Sequence, residues 1–193
     1  MAGNKKDEDL ITLYRSAKAD GRFKLMMDNY AVFPKAIRKA EMKIRYMIQA
    51  EREYMRSKAR GDLGVRVDGS GHSDLTADEA ISNSILDEAI TTGVITRGLL
   101  KGLDKAKEYE ADIRTLGIMR MDYELLKEIV ENLEEKDSLI IRKNLEEGLL
   151  FKEIADEQGR SYEAIKKRIE KIRAEIYEEV IDCLKMNCRG GRK

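Results

Sequence analysis

The sequence is poor in residues on which other classes of protein depend. Among its 193 residues there are no Trp, one Pro, one His and two Cys, and aromatic side chains make up only 6%. β-Strands depend heavily on aromatic side chains, whereas charged residues, which suit exposed helical faces, make up 38% of the chain. The composition therefore predicts an all-α fold.

The few residues that could bind a metal or act as nucleophiles are not grouped. A metal site of the Cys and His type needs three or four ligands, and the chain offers only Cys183, Cys188 and His72. A Ser or Cys nucleophile needs a nearby general base, and His72 stands in a glycine-rich segment. The carboxylates alternate with Lys and Arg, which is typical of a solvated surface. We therefore expect reduced thiols and no enzymatic activity, cofactor or metal.

Long apolar runs are also missing. No run approaches the roughly 20 residues that cross a bilayer, and we expect no signal peptide. We therefore expect a soluble, cytoplasmic protein with no membrane partner. The formal net charge is zero, but residues 1–60 hold 15 Lys and Arg against 8 Asp and Glu. Basic character is thus concentrated in the first third of the chain and in one helix near the C-terminus.

Residues 1–60 are predicted to form a basic helical segment. A short helix is expected at residues 9–19, ending near Gly21. A longer helix begins at Pro34, because Pro is favoured in the first helical turn, and no breaker follows before Arg60. Its predicted apolar stripe consists of Ile37, Ala40, Ile44, Met47, Ile48, Tyr54 and Met55.

The opposite face of this long helix is basic, and two interpretations stay open. The face is either simply solvated, as charge runs on amphipathic helices usually are, or it lies along nucleic-acid phosphates or an acidic partner surface. Its cations are Lys35, Arg38, Lys39, Lys43, Arg45, Arg52, Arg56, Lys58 and Arg60.

Residues 61–75 are predicted to be a flexible loop, since GDLGVRVDGSGHS holds four glycines. A phosphate-binding loop would need Lys and then Ser or Thr after the last glycine, and these are missing. Residues 76–117 are predicted to be connecting helices, one from a capping box of Thr76 and Glu79 to Thr92, the other over residues 96–116. Gly93 and Gly117 are predicted to end them. Their expected inward residues are Ile81, Ile85, Leu86, Ala89, Leu99, Leu100, Leu103, Ala106, Tyr109 and Ile113.

The most informative stretch is residues 149–176, LLFKEIADEQGRSYEAIKKRIEKIRAEI. Phe151, Ile154 and Ala155 fall at i, i+3 and i+4, which predicts one buried face of a short helix. Gly159 stands where that helix must end, and Ser161 can cap the next one. Because Ala155 is small, it lets two helices approach closely where they cross. The spacing predicts a helix-turn-helix.

The second helix of this motif has a buried and an exposed side. Its predicted buried stripe is Ile165, Ile169, Ile172 and Ile176. Glu163, Lys166, Lys167, Glu170 and Lys171 then face outward, with Tyr162 near the exposed N-terminal end. A helix that exposes its first turns and a basic face suits the DNA major groove.

Residues 123–176 resemble region four of bacterial RNA polymerase sigma factors, the helix-turn-helix that reads the upstream promoter element. The departures are Glu134 where that family usually has Pro, Leu150 where it has a Ser or Thr cap, and Arg160 where it has an apolar residue. Nothing upstream resembles region two, which melts promoter DNA. The arrangement is more similar to the ArpU-like late-gene activators of Firmicutes prophages. The matching positions are Leu133, Glu147, Gly148, Lys152, Glu153, Ile154, Ala155, Gly159, Ser161, Ile165, Lys166, Lys167, Arg168 and Ile169.

This resemblance implies a sequence-specific transcription regulator that binds double-stranded DNA, is prophage encoded and acts with bacterial RNA polymerase. A helical N-terminal part would precede a DNA-binding domain of residues 118–185, in which Asp122 caps the first helix, and a basic tail of residues 186–193. Base edges would be contacted by Tyr162, Glu163, Lys166, Lys167 and Glu170. The residues that would hold phosphates or adjust how the helix approaches DNA are Lys152, Arg160, Ser161, Arg168 and Lys171.

The apolar stripe of the second helix extends beyond the motif through Val180, Ile181 and Leu184. This extension predicts either a homodimer seam or a return onto the N-terminal part of the chain. Two other functions also stay open. One is a DNA recognition protein of the phage terminase small-subunit type, which also combines a helix-turn-helix with oligomerisation helices. The other is a helical adaptor that binds only protein.

Overall fold

The computed structural model describes residues 10–62 and 75–189, which contain eight α-helices and no β-strand. The prediction of an all-α fold is confirmed for this part of the chain. The first nine residues, most of the glycine-rich loop with His72, and the end of the basic tail lie outside the described residues. In chain order the helices are α1 (Leu10–Ser16), α2 (Ala19–Asp28), α3 (Phe33–Asp62), α4 (Leu75–Thr92), α5 (Ala106–Glu131), α6 (Glu135–Leu145), α7 (Phe151–Gln158) and α8 (Tyr162–Arg189).

The chain forms two compact units that differ from the predicted division. Unit 1 consists of residues 1–36 and 119–193, and unit 2 of residues 37–118. Helices α1 and α2 therefore belong with the helix-turn-helix rather than with the rest of the basic N-terminal segment. The predicted boundaries were wrong because α3 and α5 are uninterrupted helices that contribute residues to both units.

Gly21 does not end a helix, contrary to the prediction. Helix α1 ends at Ser16, and α2 begins at Ala19 and continues through Gly21. A Cβ atom at residue 21 would lie 3.2 Å from the Cβ atom of Ala17. Glycine therefore gives room for the tight link between the two helices.

Unit 1 gathers four of the few aromatic residues into its core. Phe33 and Tyr123 stack with ring centroids 5.5 Å apart, and Tyr14 lies 5.8 Å from Phe33. The hydroxyl of Tyr123 donates a hydrogen bond to the backbone oxygen of Tyr30 at 3.2 Å. Because these residues come from α1, the start of α3 and α5, the cluster joins the N-terminal helices to the C-terminal part of unit 1.

In unit 2 the predicted long helix and connecting helix are present, but two side chains that were expected on the buried faces are exposed. Helix α3 begins at Phe33, next to Pro34 as predicted, and buries Ile44 and Ile48. Tyr54 was expected in the apolar stripe but is 63% exposed, and Ile81 on α4 is 59% exposed. Helix α4 begins at Leu75, and the side chain of Thr76, with its predicted capping box, lies outside the described residues.

The predicted helix at residues 96–116 is wrong for its first half, which forms turns up to residue 105. Gly98 and Gly102 have φ angles of 91° and 85°, which favour glycine and break a helix. The carboxylate of Glu51 holds the end of this segment, because it accepts hydrogen bonds from the Asp104 N–H and from the Tyr109 hydroxyl, at 2.5 and 2.6 Å. The bond from Tyr109 lowers the pKa of Glu51.

Gly117 was predicted to break a helix, and instead lies inside α5. A Cβ atom at residue 117 would stand 2.6 Å from the Cα of Gly93 and 3.0 Å from the backbone oxygen of Thr92. Glycine is therefore required here for the close approach of two backbone segments, not for a turn. The prediction failed because such an approach depends on residues far apart in the chain.

Candidate nucleic-acid interface

The turn of the helix-turn-helix is built as the sequence predicts. Helix α7 ends at Gln158, and Gly159 follows with φ 61° and ψ 32°. The Arg160 N–H donates to the Ala155 oxygen at 3.0 Å and the Gly159 N–H to the Asp156 oxygen at 3.3 Å. This pair of bonds is the Schellman arrangement, in which a left-handed residue closes a helix. The predicted role of Gly159 is confirmed.

The start of α7 lacks one capping hydrogen bond because residue 150 is leucine. The side chain of Glu153 accepts a hydrogen bond from the Leu150 N–H at 2.6 Å. Leu150 has no side-chain acceptor to return to α7, and its side chain is 67% exposed. Only half of a capping box is therefore formed, which fits the departure from the Ser or Thr of the sigma family.

Helix α8 begins directly after the turn and is fixed by its buried face. The hydroxyl of Ser161 accepts a hydrogen bond from the Ala164 N–H at 3.3 Å, so the predicted cap is confirmed. Tyr162 is 45% exposed at the first helical position. The predicted stripe is fully buried, together with two residues of α7: Ile154, Ala155, Ile165, Ile169, Ile172 and Ile176.

The exposed face beside this turn carries charges of both signs. Within the described ranges, Lys152, Arg160 and Lys167 are exposed and have no carboxylate partner. Lys166 lies 4.0 Å from Glu170. Other members of the face are Glu163, which is exposed, and Lys171, which pairs with Glu175 at 3.1 Å.

Arg168 does not belong to that face, which corrects the prediction that it contacts phosphate. Its Nε donates to the carboxylate of Asp137 on α6 at 2.6 Å, and its Nη2 donates to the other oxygen. The Asp137 side chain is only 6% exposed. The hydrogen bond to this carboxylate raises the pKa of Arg168. The pair joins α8 to α6, and sequence spacing could not reveal it because the partners are 31 residues apart.

Two further side-chain contacts hold α6 against the motif. Arg173 on α8 donates to the side-chain oxygen of Asn144 at 3.0 Å. Lys143 donates to the carboxylate of Glu157 on α7, and this hydrogen bond raises the pKa of Lys143. Helix α6 thus contacts both helices of the motif and supports them.

The far end of α8 is anchored by a buried carboxylate that the sequence analysis placed wrongly. Asp122 was expected to cap a helix, but lies within α5 and is fully buried. It accepts hydrogen bonds from the Tyr14 hydroxyl and from the Asn187 amide, both at 2.6 Å. Arg22 lies 3.8 Å away. Burial raises the pKa of Asp122, against the effect of these partners.

The apolar extension of α8 is covered within the chain. Val180 and Leu184 are fully buried, and Ile181 is 7% exposed. Helix α8 packs along α2, where the ring of Tyr177 meets Phe23 edge to face and its hydroxyl donates to Asp20 at 2.6 Å. Of the two predicted alternatives, the structure contains the return onto the N-terminal part. The apolar surface that suggested a homodimer seam is not exposed.

The chain matches no protein-family model, no curated protein and no solved structure. Among residues 10–62 and 75–189, no three potential ligands of the His, Cys, Asp and Glu types come together as a metal site. None of the helices in these ranges is both long and apolar enough to cross a membrane. The similarity to sigma region four therefore stays a prediction, and function has to be argued from the residues of the interface.

Proposed function

We propose that this protein is a sequence-specific, sigma-like transcription regulator that binds double-stranded DNA through the first turns of α8. In this proposal it is prophage encoded and acts with bacterial RNA polymerase. One observation carries the DNA-binding part: the Gly159 and Ser161 turn starts a helix whose exposed first turns bear unpaired cations, Arg160 and Lys167. Such a helix can enter a major groove.

The rigidity of α8 supports this role. Its buried isoleucines and its contacts with Asp137 and Asn144 leave the exposed side chains as the only part free to adapt. A recognition surface held by packing and by hydrogen bonds loses little entropy when it binds. Predictions for individual contacts can therefore be made from the exposed positions.

The mixture of charges on the face favours sequence discrimination over general attraction. Lys166 and Lys167 can donate to guanine, whereas Glu163 and Glu170 can accept only from a base such as cytosine and are repelled by phosphates. Carboxylates between lysines therefore weaken binding to wrong sequences. Tyr162 completes the predicted base contacts. Lys152, Arg160, Ser161 and Lys171 are exposed, and in this proposal they hold phosphates.

The proposal is tested by selecting bound fragments from host and prophage DNA, and by measuring the affinity for the selected duplex over a salt series. Lys166→Ala/Lys167→Ala should weaken binding to the selected duplex more than to scrambled DNA, because these lysines are proposed to contact base edges. It should also lower the salt slope by up to about two units, near 0.9 for each phosphate charge that the two cations neutralise. The matched control is Lys185→Ala on the same helix, about 27 Å away at 1.5 Å per residue. It should leave the slope unchanged. An unchanged slope in the double variant contradicts the assignment.

The same preparation separates this proposal from the two other functions. A ring of many subunits in light scattering would favour the terminase type. No binding to any duplex at low salt would favour a protein-binding adaptor, because even non-specific binding by a helix-turn-helix appears under those conditions. Co-purification with bacterial RNA polymerase would support a direct polymerase contact, provided that the variants with altered DNA contacts still co-purify with it.

A further inference from the structure

The basic residues of α3 fall into two groups that the sequence did not separate. Three of them are held inside unit 2: Arg45 pairs with Asp87 at 2.7 Å, Arg52 donates to the Leu99 oxygen at 3.0 Å, and Arg56 pairs with Glu79 at 3.0 Å. These arginines connect α3 to α4 and to the turns before α5. These three charged groups therefore already have partners within the protein.

The second group lies nearer the start of the helix and faces solvent. Arg38, Lys39 and Lys43 are exposed, as is Lys35 one turn earlier. Within the described residues, Arg38 and Lys39 have no acidic partner. The two acidic residues of α3 that precede Glu53 are both half-buried, and Glu51 is bound to the Tyr109 hydroxyl.

Two large side chains lie among these cations. Met42 is 62% exposed and Tyr46 is 73% exposed. Steps of three and four residues place Lys39, Met42 and Tyr46 on one stripe of the helix. We call the exposed surface formed by Arg38, Lys39, Met42, Lys43 and Tyr46 of unit 2 the α3 basic face.

We propose that the α3 basic face is a second nucleic-acid surface, which binds the phosphate backbone of duplex DNA without reading its sequence. It goes beyond the proposed function, because it does not require α8 to recognise a site. Residues 38–46 span about 12 Å along the helix. A duplex carries about seven phosphate charges over the same length, so the two surfaces are complementary in charge and in scale.

The composition of the face favours DNA over an acidic protein. Lys is depleted from the centres of protein–protein interfaces, and here Lys39 and Lys43 both lie beside Met42. Tyr46 adds a hydroxyl that can donate to a phosphate oxygen. The α3 basic face also differs from the face of α8, where Glu163 and Glu170 stand between lysines. Glu41, the one carboxylate within this stretch, is half-buried, so the face is expected to attract DNA of any sequence.

The test uses the full chain and fluorescently labelled duplexes of scrambled sequence, with binding measured over a salt series. Arg38→Ala/Lys39→Ala should weaken binding at low salt and lower the salt slope by about two units, near 0.9 per phosphate contact. Because both residues are exposed, the melting temperature should not change. The reciprocal exchange Arg38→Lys/Lys39→Arg keeps both charges and should retain binding.

A control for general charge is Lys101→Ala/Lys107→Ala, which removes two exposed cations of unit 2 away from this face. It should leave affinity and slope unchanged. An equal loss in this control, an unaltered slope in Arg38→Ala/Lys39→Ala, or stronger binding to anionic vesicles than to the duplex would each overturn the proposal.

Loss of DNA binding through the α3 basic face can be distinguished from loss of binding through α8. Loss of the α3 basic face should weaken binding to a selected site and to scrambled DNA by the same factor, which preserves their ratio. Loss of Lys166 and Lys167 should reduce that ratio. If no selected site exists, the proposed function fails, while binding to scrambled duplex that depends on Arg38 and Lys39 would still support this inference.

Discussion

The two ends of α8 have opposite environments. From Tyr162 to Lys171, one side of the helix is exposed and carries unpaired or weakly paired charges. Towards its other end, Tyr177 and Asn187 are bound to Asp20 and Asp122, and the apolar stripe between them is covered. One continuous helix thus has an exposed end suited to a ligand and an anchored end inside unit 1.

Similar side chains therefore have different roles at the two ends of α8. At the anchored end, Tyr177 and Asn187 form specific bonds with Asp20 and Asp122, and loss of these bonds should reduce stability. On the exposed side of the other end, charged groups such as Lys167 have few partners in the described chain, so their loss should alter binding rather than stability. Substitutions on each side of this division can confirm it or show that it is wrong.

The largest effect is expected at the anchored end. Leu184 is fully buried, and Leu184→Ala should lower the free energy of unfolding by about 2–5 kcal/mol, because it removes apolar contact and leaves a cavity. Denaturant unfolding measures the change. Glu178→Ala, an exposed substitution on the same helix, should cause no measurable loss, and equal losses would show that this end is not anchored through its apolar stripe.

A smaller effect should separate Arg168 from its neighbour Lys167. Arg168→Ala leaves the buried carboxylate of Asp137 without its partner, which should cost about 1–3 kcal/mol in the free energy of unfolding. Lys167→Ala should leave stability unchanged and lower the salt slope for DNA by about 0.9. The comparison would fail if Arg168→Ala changed the slope without changing stability.

Loss of the cap between the two helices should have a still smaller effect. Ser161→Ala removes the acceptor for the Ala164 N–H and should destabilise the protein by about 1 kcal/mol. Ser161→Asp should restore most of that stability, since Asp also caps helices. Thermal unfolding of the three proteins checks this, and a Ser161→Asp protein no more stable than Ser161→Ala would argue against capping.

The smallest effect should appear as a pH dependence at Asp122, where the burial penalty is opposed by Tyr14, Asn187 and Arg22. Because burial raises the pKa of Asp122 above 3.8, the folded state holds the proton more tightly than the unfolded state. Its contribution to stability is therefore complete below pH 3.8 and declines as pH rises through the raised pKa. The difference in unfolding free energy between wild type and Asp122→Asn should fall with rising pH in that window. A constant difference would contradict the raised pKa.

The sequence was sufficient where structure follows from neighbouring residues. The left-handed position of Gly159 and the cap at Ser161 depend on contacts within a few residues, and the isoleucine stripe of α8 follows from helical spacing. The beginning of α3 near Pro34 is of the same kind. Local chemistry and helical spacing predict such features because the partners are adjacent along the helix.

The remaining features depend on partners far apart in the chain. Gly117 permits a close approach to Gly93, Asp122 binds Tyr14 over 108 residues, and Arg168 binds Asp137 over 31. Spacing alone assigned these three residues to a helix break, a cap and a phosphate contact. For the candidate site, the sequence named the exposed positions of the turn and recognition helix but could not show which cations are already paired.

Helix α8 contains neither glycine nor proline over its 28 residues, which correspond to a length of about 42 Å. It therefore has none of the usual joints at which a long helix bends. A ligand, modification or substitution that displaced the end near Asn187 would move the whole helix as a rigid body. Under the proposed function, DNA contact could then be controlled from the opposite end of the helix, without touching the residues proposed to meet the groove.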